Sequence, residues 1–189
     1  MTNHKCPPAS LLFIFGGSGD LNQRKLSPAL YNLFIDNWMP EKFQIVGIGR
    51  TAYSDDSFRK HLYDGIQQFS RRKDDKNGKW EQFSKSISYL QMDAGNEADY
   101  QKIAEIVKQK EQEFGEHPNV IFYMSVAPHL VPQIASKLGP LNICKDTRCT
   151  RIVVEKPFGH DLKSAHELNE LLTGMFDETQ IYRIDHYLG

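Results

Sequence analysis

The chain has 189 residues, 40% of them hydrophobic and 25% charged, proportions that suit one soluble globular domain with a single sizeable core. A formal net charge of -1 supplies no overall field to gather nucleic acid or an anionic membrane, so any anion recognition is local. The early apolar run "LLFIF" has five residues against the roughly 20 that span a bilayer, and no small-residue cleavage site follows it, so a cytoplasmic protein is expected.

In chain order, "SLLFIF" is a short, wholly apolar run, the pattern of a strand buried on both faces of a parallel sheet. Residues 20 to 38 place Leu21, Leu26, Ala29, Leu30, Leu33 and Phe34 at helical spacing, and Met39-Pro40 ends the predicted helix. "FQIVGIG" reads as a second strand. Ser54 caps a helix beginning "DDSF", and "SRRKDDKNGKW" after it reads as a solvated loop. "SISYLQMD" is a third strand. The helix "EADYQKIAEIVKQKEQEF" carries Tyr100, Ile103, Ile106 and Val107 on one stripe and stops at Gly115. A fourth strand "NVIFYMSV", a helix over 128 to 137, a fifth strand "RIVVE", a helix "DLKSAHELNELLT" and a sixth strand "QIYRI" complete the alternation.

Alternating strands and helices with no internal repeat predict an α/β fold, a doubly wound parallel sheet with right-handed crossovers and helices on both faces, with residues 1–189 forming one Rossmann-like domain. In such folds the working residues gather at the carboxyl ends of the strands. Ending right after the sixth strand, the chain reads as a fragment that lacks a second domain.

Three cysteines, Cys6, Cys144 and Cys149, without a C-x-x-C, suit reduced thiols better than a disulfide framework. The seven histidines show no H-E-x-x-H, and His160 and His166 lie six apart, off any shared helix face. No metal site is expected.

The first strand runs into "FGGSGDL" just before the first helix. Gly16, Gly17 and Gly19 permit a tight turn and let backbone N–H groups approach a pyrophosphate, and the helix start adds favourable partial charge. The spacing departs from G-x-G-x-x-G, and a plain turn capped by Asp20 is the competing reading. At the end of the second strand, where a site for NAD places a carboxylate on the ribose, "GIGRTAYS" offers Arg50 instead. A guanidinium there suits a 2′-phosphate, hence NADP. Asp93-Ala94, ending the third strand, lines the adenine side or caps the next helix.

"RIVVEKPFG" sends a strand into a charged pair. Lys156 leaves it on the glycine-loop edge, where an ammonium reaches a substrate hydroxyl and the coenzyme together, with Glu155 neutralising or positioning it. Pro157 fixes the backbone that follows and is able to do so in a cis bond. "YRIDHYLG" brings Asp185, His186 and Tyr187 to the same edge. Asp185 and His186, adjacent in an extended strand, point to opposite faces and cannot pair with each other. His186 and Tyr187 suit phosphate or hydroxyl binding, and Asp185 suits orienting a histidine from elsewhere.

"GGSGDL", "GIGR", "FYMSVAP", "VVEKPFG" and "RIDHYLG", in this order, resemble the coenzyme domain of the glucose-6-phosphate dehydrogenase family over nearly the whole chain. The resemblance implies oxidation of glucose 6-phosphate to 6-phosphogluconolactone, with hydride passing to NADP+ in the pentose phosphate pathway. It implies that Gly16, Gly17, Ser18, Gly19, Asp20 and Leu21 cradle the pyrophosphate, that Arg50 holds the 2′-phosphate, and that Lys25 lies near the nicotinamide. By the same likeness Lys156 touches coenzyme and sugar, Pro157 is cis, and His186 and Tyr187 bind the sugar phosphate. Asp185 would pair with a catalytic histidine in the second domain, which is absent here and carries most of the family's self-association. Ser27 and Thr51 depart from the family's usual residues. The competing readings are a glucose-fructose or inositol dehydrogenase type of sugar oxidoreductase, against which "RIDHYLG" argues, and a non-catalytic dinucleotide-binding module.

Overall fold

The computed structural model describes residues 7–73, 78–159 and 161–185. The apolar segments pair as strands β1 (Ser10–Phe15), β2 (Phe43–Gly49), β3 (Ile87–Gln91), β4 (Asn119–Met124), β5 (Thr150–Glu155) and β6 (Ile181–Ile184). All pairings are parallel, and the spatial order is β3-β2-β1-β4-β5-β6. β1 lies at the centre, with Phe13 opposite Val46 on one side and Phe122 on the other. That position explains its uninterrupted apolar run, because neither face meets water.

Helices α1 (Ser27–Ile35), α2 (Asp55–Phe69) and α3 (Lys79–Ser84) contribute Tyr31, Phe58, Leu62, Ile66 and Phe83 to the core on one face of the sheet. Helices α4 (Tyr100–Phe114), α5 (Val131–Leu138) and α6 (Leu162–Met175) cover the other with Tyr100, Ile103, Val107, Ile134, Leu138 and Leu172. The sheet is therefore doubly wound, as expected. Because the chain winds outward from β1 to β3 and then crosses to β4, the connections after β1 and β4 run to opposite faces and open a crevice between them.

The two expected caps, Ser54 and Gly115, hold their helices in place, and a third at Asp161 adds to them. Ser54 Oγ accepts from the Ser57 N–H at 3.2 Å, Gly115 ends α4 at φ 70°, and Asp161 and Ser164 form a capping box at the start of α6.

Two stretches differ from expectation. The helix over 20 to 38 is divided: a π-helical turn, Asn22–Leu26, precedes α1. Pro28, near the start of α1, has no N–H to give the carbonyl four residues back, so the turn before it widens. α1 then ends at Ile35, ahead of Met39-Pro40. Asn37 takes the left-handed conformation at φ 58°, and Trp38 N–H reaches back to the Leu33 carbonyl at 2.9 Å while Asn37 N–H bonds that of Phe34 at 3.1 Å, a Schellman closure. With the helix so placed, its buried face carries Ser27, Pro28 and Tyr31, and Leu33 stays 44% exposed. The second difference is α3, which begins inside the stretch read as a loop; Trp80 packs against Tyr31, Tyr63 and Phe83 with ring centroids 5.2 to 6.1 Å apart. No helix among the described residues is long and apolar enough to cross a membrane. Cys144 and Cys149 are free thiols.

Candidate functional site

The turn after β1 is bound to the sheet by its own amides. Gly16 and Gly17 N–H both donate to the Ile48 carbonyl of β2 at 2.9 Å, and Gly19 N–H donates to Gly16 at 2.8 Å. Gly16 sits at φ 79° with its Cα against β4: a Cβ there would lie 2.0 Å from the Ser125 carbonyl oxygen. At Gly17 a Cβ would meet the Gly47 backbone at 2.6 Å. Only glycine fits both places. Because these three amides are already used, two on β2 and one within the turn, the donors left to face an anion are the Ser18 N–H and the first N–H groups of the helix that follows, from Asp20 to Asn22.

Beneath the turn lies a residue that composition and spacing did not single out. Asn22, fully buried, donates from Nδ2 to the Gly17 carbonyl at 2.6 Å, and its Oδ1 accepts from Ser27 Oγ at 2.9 Å. It ties the glycine turn to α1. A polar residue at the position where the apolar stripe faces inward was the available signal. Ser27 thus has a partner of its own within the loop's support.

The crevice at the carboxyl ends of β1 to β4 is an open cleft of about 380 Å³ lined by Gly16, Ser18, Gly19, Arg50, Thr51, Asp93, Ala94, Ser125, His129 and Gln133 together with apolar side chains. Six of the expected coenzyme residues, Gly16, Ser18, Gly19, Arg50, Asp93 and Ala94, therefore meet in one cavity. Arg50 is exposed on its rim and has no ion-pair partner among the described residues. Asp93 shapes the loop after β3, its Oδ1 accepting from Gly95 N–H at 2.8 Å, and the Ala94 carbonyl accepts from Tyr100 Oη and Lys137 Nζ, each at 3.0 Å. Burial lifts the Tyr89 phenol above its ordinary value, while the neighbouring Ser18 hydroxyl pulls it down. Gly17 is buried under the turn, and Asp20 and Leu21 begin the helix, with Asp20 paired to Arg24 at 3.4 Å. Lys25 is exposed on the π-helical turn and does not line the cleft.

Ser125, His129 and Gln133 also line this cleft, and the residue-by-residue reading did not name them. Ser125 Oγ is buried without a hydrogen-bond partner in the structure. A buried hydroxyl aimed at a cleft and a glycine cradle that a Cβ would fill are both features that a bound dinucleotide satisfies.

A second cluster stands at the ends of β5 and β6. Lys156 Nζ donates to Asp185 Oδ2 at 2.6 Å, with both side chains about half exposed. Glu155 accepts from the Tyr123 hydroxyl of β4; burial first, then this carboxylate, push that phenol well above its ordinary range. The Lys156–Pro157 peptide bond is cis. His129 lines both the coenzyme cleft and a neighbouring groove that continues past Phe158 and Gly159, so the two clusters occupy one edge of the sheet. His186 and Tyr187 lie outside the described residues.

Residues 13–189 match the family model described as "Glucose-6-phosphate dehydrogenase, NAD binding domain". The chain is 38% identical over 180 residues to glucose-6-phosphate 1-dehydrogenase of Leuconostoc mesenteroides, covering 95% of this chain and 36% of that protein. It is 36% identical to the Bacillus subtilis enzyme of the same name, covering 96% of this chain and again 36% of the relative. A solved structure of glucose-6-phosphate dehydrogenase in complex with its substrate glucose-6-phosphate superposes with a TM-score of 0.84 at 29% identity over 97% of this chain and 38% of that one. The Mycobacterium avium enzyme superposes at 0.82 and 30% identity, over 95% of this chain and 36% of its own. The chain thus spans little more than a third of the length of these relatives. It belongs to the glucose-6-phosphate dehydrogenase family and corresponds to that family's dinucleotide-binding domain.

Proposed function

We propose that this chain is the NADP-binding part of a cytoplasmic enzyme that oxidises glucose 6-phosphate to 6-phosphogluconolactone, completed by its own C-terminal domain and working as a homo-oligomer. The observation that carries the coenzyme choice is Arg50 on the rim of the glycine-lined cleft, at the strand end where a carboxylate would serve NAD. The Ser18 N–H and the first helical amides from Asp20 to Asn22 hold the pyrophosphate, within the wider cradle of Gly16, Gly17, Gly19 and Leu21. Asp93 and Ala94 border the adenine, and Ser125 Oγ gains the partner it lacks. Lys25 is assigned to the nicotinamide end.

Bound NADP+ supplies the hydride acceptor. Lys156, held by Asp185, donates hydrogen bonds to the sugar and to the coenzyme amide, which aligns the reacting carbon. His186 and Tyr187 take the sugar phosphate. Asp185 uses one carboxylate oxygen for Lys156; the other is left to orient the second domain's histidine, which removes the C1 hydroxyl proton.

Calorimetric titration with NADP+ and NAD+ tests this reading. NADP+ should bind in preference, and Arg50→Ala should weaken NADP+ about 10- to 100-fold, the worth of a charge-assisted contact, while leaving NAD+ nearly unchanged. Equal losses for the two coenzymes would remove Arg50 from the 2′-phosphate. Turnover of glucose 6-phosphate should require the second domain.

A further inference from the structure

At the amino-terminal edge of the sheet, opposite the glycine turn, three side chains of different chemistry converge although they are far apart in sequence. His117 lies in the loop between α4 and β4, and Asp146 and Cys149 lie in the turn that enters β5. One ligand atom from each falls within 4.8 Å of the other two. We propose that His117, Asp146 and Cys149 form a binding site for a divalent first-row transition ion of zinc's type.

Their local geometry suits coordination. His117 Nδ1 faces Glu111 Oε1 at 3.0 Å, while its Nε2 faces Asp146 Oδ2 at 3.7 Å. With Glu111 accepting from Nδ1–H, it is Nε2 that would carry the lone pair for a metal, the carboxylate–histidine arrangement that stands behind metal-bound imidazoles. Asp146 is divided in the same sense. Its Oδ1 accepts from the Arg148 N–H at 3.0 Å, and its Oδ2 is the oxygen turned to the histidine.

Ligands bound to zinc at its usual bond lengths and tetrahedral angles stand about 3.3 to 3.8 Å apart. The histidine–carboxylate pair, 3.7 Å apart, already lies in that range, and none of the three pairs has to close by more than about 1 Å to reach it. The turn itself is firmly held, since Cys149 and Thr150 N–H both return to the Asp146 carbonyl, at 3.3 and 3.0 Å, and the Cys149 carbonyl accepts from Val120 of β4 at 2.8 Å. Arg148 is the opposing charge, 3.4 Å from Asp146 Oδ1, but its side chain is 87% exposed and free to swing into water.

On binding, the Cys149 thiol releases its proton to solvent and coordinates as the thiolate, and water completes the fourth position. Imidazole, thiolate and carboxylate together favour zinc, cobalt or nickel over calcium or magnesium. Such an ion would clip the α4–β4 loop to the entry of β5.

Cobalt(II) titration of the untagged, chelator-stripped chain, followed by absorption, tests the site. The expected result is a thiolate-to-cobalt charge-transfer band that saturates at one ion per chain, is displaced by zinc, is retained in Cys144→Ser and is lost in Cys149→Ser. Glu111→Gln, which removes no ligand and lies on the surface of α4, should weaken cobalt binding about 10- to 100-fold. Absence of the band overturns the proposal. So does a band that survives Cys149→Ser and disappears with Cys6→Ser.

Discussion

Asn22→Ala removes the amide that joins the glycine turn to α1, and its cost follows from two bonds. In the native protein Nδ2 donates to the Gly17 carbonyl at 2.6 Å and Oδ1 accepts from Ser27 Oγ at 2.9 Å, all of it away from water. The substitution leaves a carbonyl and a hydroxyl without partners, and an unsatisfied buried group costs about 1 to 3 kcal/mol. Ser27 can turn its hydroxyl to the carbonyl four residues earlier, as helical serines do, so most of the penalty falls on Gly17. A loss of about 1 to 3 kcal/mol is expected, a sizeable share of the roughly 5 to 15 kcal/mol that stabilises an ordinary domain. Urea unfolding followed by far-ultraviolet circular dichroism should show a lower midpoint with an unchanged slope. NADP+ affinity should fall as well, because the turn that presents Ser18 is no longer fixed. Asn22→Asp, which keeps the acceptor for Ser27 but sets an oxygen against the Gly17 carbonyl and buries a charge, should be at least as damaging. A change below about 1 kcal/mol in the alanine variant, with coenzyme affinity intact, would refute the bridging role.

Other outcomes can be stated from single contacts. Lys156→Met, assayed with the second domain present, should reduce turnover about 10- to 100-fold, the scale of one charge-assisted bond, with a smaller effect on NADP+ affinity; an unchanged kcat would take Lys156 out of the reacting geometry. The Cys144 thiol is pushed up to about 12 by burial, so peptide mapping after alkylation near pH 8 should find it unmodified in the native protein and modified in urea. Labelling under native conditions would mean that its site opens. The Arg148 N–H holds the Asp146 carboxyl below the usual range, and the Arg183 guanidinium does the same for Glu178. Folded values below unfolded ones mean that this stability is complete above the unfolded carboxylate range of about 4 and drains as pH falls through the folded values. The urea midpoint should therefore be level from neutral pH to about 5 and drop below about 4, and a midpoint that rises on acidification would reverse the sign.

Strand identity was legible because the strands are short, largely apolar runs, β1 wholly so, set between helical segments, which gives the doubly wound class; the order β3-β2-β1-β4-β5-β6 was not legible, since right-handed crossovers also permit the other doubly wound order. Ser54 and Gly115 marked helix ends by local chemistry alone. α3 was hidden because its neighbours are charged, and its stabilisation comes from Trp80 reaching Tyr31 and Tyr63 across the fold. The glycine turn, Arg50 and Asp93 could be placed because strand ends converge in this topology. Ser125, His129 and Gln133 could not, since they belong to a cleft formed only when β4 lies beside β1. The histidine, aspartate and cysteine of the opposite edge share no motif spacing; two separate loops bring them together, so a search for ligand spacing passes over them.

The charged pair Glu155-Lys156 illustrates how strand periodicity allots roles that composition leaves open. Read as neighbours, the two residues look like a mutual salt bridge. An extended chain turns consecutive side chains to opposite faces, and the structure follows that rule: the Glu155 carboxylate goes to Tyr123, two residues along the same face as Val153, while the Lys156 ammonium goes to Asp185 at the end of β6. One side of the strand end is thus anchored to β4 beneath the sheet edge, and the other is presented above it. Anchoring matters to the presented side, because a lysine has four rotatable bonds and holds a reacting geometry only when its backbone does not move. Glu155→Gln, which retains a hydrogen-bonding partner for Tyr123, should leave the Lys156–Asp185 pair in place, whereas Glu155→Ala frees the strand end and leaves the Tyr123 phenol to be satisfied elsewhere. The glutamate therefore acts on Lys156 through the backbone they share, and a glutamate placed to neutralise the lysine directly would have been on the wrong face to do so.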